Sequence, residues 1–114
     1  MIIQYDVNAR YQIAEIFQYG KNNFGPQTAL RYVRKLREKI NELKLHPRAG
    51  SIEWILTDKE HEYRYIFVKP YKVIYSIKGD IIRIHLFWHT YRNPDILKDY
   101  PIEVCEAPSP YGKE

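Results

Sequence analysis

The chain has 114 residues, of which 45% are hydrophobic and 15% aromatic, and its formal net charge is +4. This length predicts one domain with a single compact core. The lone cysteine, Cys105, excludes an internal disulfide, and no apolar run is long enough to span a membrane. The N-terminus lacks the basic and apolar regions of a signal peptide, so we expect a cytoplasmic protein.

The charge is unevenly distributed along the chain. Residues 1–94 carry 16 basic and 9 acidic side chains, a balance of +7, whereas residues 95–114 carry 2 and 5, a balance of −3. We therefore predict a basic domain over residues 1–94 followed by an acidic, proline-containing tail over residues 95–114. A basic domain is typical of proteins that bind nucleic acid or an acidic protein segment, but it also serves ordinary solubility.

A short strand over residues 2–6 is predicted first, and two helices follow. Asp6 or Asn8 can cap the first helix, which should end near Asn22 or Asn23. Pro26 suits the first turn of the second helix, and Pro47 ends it. The second helix has the clearest apolar periodicity in the chain, a stripe of Ala29, Val33, Leu36, Ile40 and Leu43.

After Gly50 the apolar period changes to two, which predicts strands. Alternation over residues 52–57 predicts a strand on which Glu53 faces solvent. Residues 64–69 and 71–77 predict two more strands, and the turn sequence at residues 78–80 leads into a last one over residues 81–88. On that last strand Ile82, Ile84, Leu86 and Trp88 should share one face, with Arg83, His85 and Phe87 on the other.

The predicted fold class is α+β. The N-terminal strand and the helical hairpin should pack on one face of an antiparallel sheet of about four to five strands, because this arrangement buries both amphipathic layers. The apolar stripe of the second helix should then contact the sheet face that carries Ile82, Ile84 and Leu86.

Several motifs in a fixed order suggest a family. They are the helix end and turn with Leu43, Pro47 and Gly50, an arginine before the central hairpin (Arg64), the strand Y-K-V-I-Y-S-I at 71–77, and a closing strand that ends in His-Thr-Tyr-Arg at 89–92. Together they resemble the RelE/ParE toxins, the toxin components of type II toxin–antitoxin (plasmid stabilisation) systems. The resemblance covers residues 1–94.

The resemblance implies a growth-inhibiting toxin with a cognate antitoxin partner, as a homodimer or as a heterotetramer with the antitoxin. It leaves the target open, since some members bind DNA gyrase and others cut mRNA on the ribosome. The closing His-Thr-Tyr-Arg and the absence of a lysine-dense second strand look more like the gyrase-binding ParE members. The alternatives are a ribosome-dependent mRNA endonuclease and an inactive basic binding module of the same fold.

A metal-independent RNA-cutting site would need a base, cations at the phosphate and a general acid. Arg64 and Arg83 could flank a phosphate, His89 or Tyr91 could act as the acid, and Arg92 would be a third cation. The competing interpretation is structural. Arg64 and Arg92 could instead pair with nearby carboxylates such as Glu60, Glu62 or Asp95, and Tyr91 could simply pack.

The candidate partner-binding residues lie on the second helix and are Arg31, Tyr32, Arg34 and Lys35. They could contact an antitoxin or phosphate groups, although such a run is often only a solvated helix face. No metal site or cofactor is expected. His85 and His89 would share a strand face but lie about 13 Å apart, too far to bind one ion.

Overall fold

The structure, a computed structural model, describes residues 1–91, so Arg92 and the predicted tail over residues 95–114 lie outside the described residues. The elements in chain order are β1 (Ile2–Tyr5), α1 (Val7–Phe24), α2 (Pro26–Asn41) with a 3-10 turn (Glu42–Lys44), β2 (Ser51–Ile52), β3 (Arg64–Val68), β4 (Tyr71–Lys78) and β5 (Ile81–His89). None of the helices in this part of the chain combines the length and apolarity needed to cross a bilayer.

The five strands form one sheet in the order β1-β5-β4-β3-β2, and the α+β class predicted from the sequence is confirmed. The expectation that the N-terminal strand packs on one face of an antiparallel sheet is wrong, because β1 extends the sheet at one edge and runs parallel to β5. Parallel neighbours require a long crossover rather than a hairpin. Here α1, α2 and the later strands together make up that crossover.

The helical hairpin turns at Gly25, whose φ of 95° favours glycine, and Pro26 begins α2 as expected. The two helices approach closely, since a Cβ built on Gly20 would lie 3.1 Å from the Ala29 Cβ. The predicted apolar stripe of α2 packs into the core, where Leu36 and Ile40 are fully buried.

A β-bulge changes which side chains of β5 face the helices. Tyr75 of β4 opposes Ile84, but the preceding Ile74 opposes Leu86, so His85 is the extra residue. The prediction that one face carries every second residue of β5 is therefore wrong beyond Ile84. An extra residue shifts the alternation by one position, and single-strand periodicity cannot show that shift.

The bulge creates two cores on opposite faces of the sheet. Ile82 and Ile84 pack with Leu36 under the helices, as predicted. Leu86 instead packs with Trp88 on the far face, in a second cluster.

The predicted second strand is much shorter than expected. After Ile52 the chain turns, and the Glu53 carbonyl accepts hydrogen bonds from the backbone N–H groups of Leu56 and Thr57. This turn buries the Glu53 side chain, whose carboxylate pairs with Lys72 Nζ at 2.6 Å, so the prediction that Glu53 faces solvent is wrong. Trp54, which lies within the predicted strand, is 73% exposed.

Candidate binding and catalytic surfaces

Arg64, the first residue of β3, is engaged on three sides by its own chain. Its Nη1 donates to the carbonyl oxygens of Gly50 at 2.7 Å and Arg48 at 3.3 Å. Its Nε donates to the Glu62 carboxylate at 2.8 Å, and only 16% of the side chain is exposed. Arg64 therefore braces the turn that follows α2.

Tyr75 of β4 also holds the turn that follows α2. Its hydroxyl donates to the Pro47 carbonyl at 2.8 Å and accepts the Gly50 N–H at 3.0 Å. Burial raises the pKa of Tyr75, so the hydroxyl keeps its proton for the donated bond. Gly50 has no room for a side chain, because a Cβ there would lie 2.5 Å from the Tyr65 carbonyl oxygen.

Arg83 lies on the other face of the sheet from Arg64. Arg64 opposes Tyr75, which packs under the helices, whereas Arg83 opposes Ser76, one residue further along β4. The Arg83 guanidinium donates to Asp6 at 2.9 Å and to Gln4 at 3.1 Å. The structure therefore does not bring Arg64 and Arg83 together around one phosphate.

A partly buried polar network that the sequence patterns did not predict surrounds Asp6. Its second carboxylate oxygen lies 2.8 Å from His85 Nδ1, and His85 Nε2 lies 2.7 Å from the Ser76 hydroxyl. His85 is 6% exposed, and its ring packs edge-on against Tyr63 with centroids 5.2 Å apart. The network orients the imidazole and fastens the end of β1 to β4 and β5.

Sequence patterns could not have revealed this network. Asp6, one of the two residues predicted to cap α1, occupies the N-cap position, but its side chain makes no capping hydrogen bond and pairs with Arg83 and His85 instead. Asp6 and His85 are 79 residues apart in the chain, and the bulge that aims His85 is not visible in the apolar period.

His89 and Tyr91 are the two candidate general acids, and they lie together at the end of β5. His89 Nδ1 accepts the Tyr91 N–H at 3.1 Å, and the two rings are 5.3 Å apart. The Tyr91 side chain is 91% exposed. His89 lies six positions along the strand from Arg83, a distance of about 20 Å.

An apolar groove opens between the helical hairpin and the β3–β4 turn. Its volume is about 610 Å³, and a smaller pocket of about 230 Å³ adjoins it along α1. Two exposed aromatic side chains flank it, Tyr19 at 62% and Phe24 at 65%. We call it the aromatic groove, after its principal lining residues Tyr19, Phe24, Tyr32, Pro70, Tyr71 and His89.

Tyr32 belongs to this groove and not to the basic helix face with which it was grouped. Its hydroxyl donates to the Val68 carbonyl at 2.6 Å, and burial raises its pKa, so it stays protonated at neutral pH. Arg31, Arg34 and Lys35 are exposed on the side of α2 that faces away from the buried Leu36 and Ile40. The structure thus divides the predicted partner-binding set into two separate surfaces.

No three His, Cys, Asp or Glu side chains within residues 1–91 are grouped as a metal ion would require. The described residues offer instead two arginines held by internal acceptors, a partly buried Asp–His–Ser chain, an aromatic groove and a basic helix face.

The helical hairpin on a five-stranded mixed sheet is a fold found among toxin–antitoxin proteins. A family model described as the ParE toxin of the type II toxin–antitoxin system parDE matches residues 3–94. The chain belongs to this family, and it is the toxin component of a type II system with an antitoxin as its partner.

A solved structure of the chromosomal ParDE toxin–antitoxin system of P. aeruginosa is similar to the chain. Its TM-score is 0.64 at 17% sequence identity, and the match covers 78% of this chain and 95% of that one. At this identity the similarity demonstrates the shared fold alone. Comparison with curated proteins finds no match.

Proposed function

We propose that this toxin acts in the cytoplasm and arrests growth by binding DNA gyrase rather than by cutting RNA. The observation that carries the proposal is the separation of the candidate catalytic groups within residues 1–91. A metal-independent RNA-cutting site needs its cations, base and acid around one phosphate. Such groups must lie within hydrogen-bond reach of the reacting atoms.

The described residues do not meet that requirement. Arg64 and Arg83 point to opposite faces of the sheet, and both are held by internal acceptors. His89 lies about 20 Å along the strand from Arg83. A toxin that acts by binding needs no convergent site, so this geometry favours the gyrase-binding mode.

The aromatic groove supports a binding function as well. Exposed aromatic side chains around a concave apolar surface are typical of the energetic centre of a protein–protein interface. We propose that a segment of the antitoxin inserts a bulky apolar side chain here, against Tyr19, Phe24 and Tyr32. This assigns Tyr32, alone among the four predicted partner-binding residues, to the antitoxin.

Gyrase inhibition and RNA cleavage can be measured on the same purified full-length protein. We expect it to block DNA supercoiling by gyrase and to leave ribosome-bound mRNA intact. Cleaved transcripts from the wild type, lost in a folded Arg83→Ala variant, would instead establish the ribosome-dependent endonuclease. A folded protein that does neither would correspond to the inactive binding module.

The antitoxin site is tested by paired substitutions. The double variant Tyr19→Ala/Phe24→Ala should lose at least about thirtyfold in antitoxin affinity, because even one hot-spot aromatic contributes about 2 kcal/mol or more. The matched control is Trp54→Ala/Phe67→Ala, which removes two aromatics that are 73% and 54% exposed elsewhere. Equal losses in both variants would contradict the assignment to the groove.

A further inference from the structure

The positive charge of the protein is concentrated in one short segment. Residues 31–48 carry 7 basic and 2 acidic side chains, a balance of +5. The whole of residues 1–91 carries 15 basic and 9 acidic side chains, a balance of +6. Nearly all of the net charge therefore lies on α2 and the turn that follows it.

Three of these cations form one surface, which we call the basic face of α2 (Arg31, Arg34 and Lys35). At 100° and 1.5 Å per residue, they lie within about 100° of one another around the helix axis and about 6 Å along it. This arc is opposite the stripe that contains the buried Leu36 and Ile40. All three residues are exposed.

The cations of this face are not held in ion pairs by other side chains of residues 1–91. Lys39 and Arg48 have carboxylate partners, Glu42 and Glu62, at 3.9 and 3.7 Å. Within residues 1–91, by contrast, neither Arg34 nor Lys35 forms an ion pair, and Arg31 donates only a long hydrogen bond of 3.4 Å to Thr28. A face with free cations attracts a polyanion.

We propose that the basic face of α2 binds the phosphate backbone of double-stranded DNA. Its arc also contains Gln27 and Glu38 but no apolar side chain. A docking surface for an acidic protein would be expected to have an apolar centre, and this face has none. Phosphate contacts need only cations and other polar groups, which is what the arc offers.

The duplex is favoured over single strands because the face lacks an aromatic platform. Proteins that bind single-stranded nucleic acid stack bases on aromatic rings. Tyr32, the nearest ring in sequence, turns away and bonds the Val68 carbonyl. The binding should therefore be independent of sequence and strongly dependent on salt.

The expected salt dependence and affinity of duplex binding follow from the number of cations. Three neutralised phosphates predict a slope of about −3 in a plot of log K against log salt concentration. Sequence-independent affinities of this kind correspond to Kd values of about 10⁻⁴ to 10⁻⁶ M at physiological salt. A site with so few contacts should lie at the weak end of that range.

Fluorescence anisotropy with the purified full-length chain and a labelled duplex of mixed sequence tests the proposal, at salt concentrations from about 50 to 200 mM. The variant Arg31→Gln/Arg34→Gln/Lys35→Gln should bind at least about tenfold more weakly at the lowest salt, with a slope near zero. The control Lys21→Gln/Lys59→Gln/Lys78→Gln loses the same charge from exposed lysines elsewhere. It should retain affinity within about threefold of wild type.

For one further variant we expect the affinity for the duplex to rise instead of fall. Glu38→Gln removes the acid that shares the arc of the three cations, so it should bind the duplex more tightly than wild type. Circular dichroism of every variant verifies that α2 is intact.

Three results would overturn the proposal. The first is no duplex binding by the wild type at the lowest salt. The second is equal weakening in both triple variants, which would mean that net charge alone matters. The third is displacement of the duplex by poly-glutamate as effectively as by unlabelled duplex of equal charge, which would assign the face to an acidic protein. None of these results depends on whether the toxin inhibits gyrase.

Discussion

Single residues of the same chemical type have different roles here because their surroundings differ. Arg64 is enclosed by backbone carbonyls and a carboxylate, whereas Arg34 is exposed and forms no ion pair within the described part of the chain. Tyr75 and Tyr91 differ in the same way, one with a hydroxyl bonded twice inside the protein and the other 91% exposed. Substituting the internal and the exposed member of such a pair tests what the surroundings contribute to stability.

Tyr75→Phe should lower the free energy of unfolding by about 1–3 kcal/mol, because the Pro47 carbonyl and the Gly50 N–H lose their shared partner. Urea denaturation followed by circular dichroism measures this loss. Tyr91→Phe removes a hydroxyl from an exposed ring and should change stability by less than about 0.5 kcal/mol. A similar value for both variants would show that the hydrogen bonds at Gly50 contribute little.

Arg64→Ala should also reduce stability by about 1–3 kcal/mol, since it removes charge-assisted hydrogen bonds to Gly50 and Glu62. The activity of the folded fraction should stay unchanged, because the residue acts through the turn and not on a substrate. Arg64→Lys should restore part of the stability. An Arg64→Ala protein of normal stability that fails to inhibit gyrase would point to direct target contact instead.

Among the elements, α2 has three different faces. Its apolar stripe enters the core, Tyr32 contributes to the aromatic groove, and Arg31, Arg34 and Lys35 face solvent. Strand β5 likewise serves both sides of the sheet, because the bulge at His85 moves Leu86 and Trp88 to the face away from the helices.

Leu36→Ala should cost about 2–5 kcal/mol, because the side chain is fully buried between α2 and the sheet. The control is Leu30→Ala on the same helix, where the leucine is 50% exposed and the loss should stay below about 1.5 kcal/mol. Thermal or urea unfolding of the two variants gives the comparison directly. A loss below about 1 kcal/mol for Leu36→Ala would contradict the packing described above.

For the whole molecule, the two proposed surfaces lie on different faces of the helical layer. The aromatic groove lies where the helical hairpin meets the β3–β4 turn and the end of β5, whereas the basic face of α2 points away from the sheet. An antitoxin segment in the groove would therefore leave the three cations accessible. Neutralisation by the antitoxin and contact with DNA are then compatible on one toxin molecule.

Expression of the toxin alone should arrest bacterial growth, and co-expression of its antitoxin should restore it. The reason is that a folded toxin with an open groove is free to reach its target. In the complex the antitoxin occupies that groove. Colony counts and optical density after induction measure the effect. Normal growth with abundant folded toxin would contradict the proposed growth arrest.

The sequence by itself determined the features that depend on local periodicity. The apolar stripe of α2, the extent of β3 to β5 and the α+β class all follow from spacings within a few residues. Only the tertiary structure decided the parallel pairing of β1, the burial of Glu53 against Lys72 and the pairing of Asp6 with His85. These contacts join residues far apart in the chain, and the β-bulge then sets which face each side chain occupies. Local patterns carry no information about such pairings, and for that reason the separation of Arg64 from Arg83 could not be foreseen.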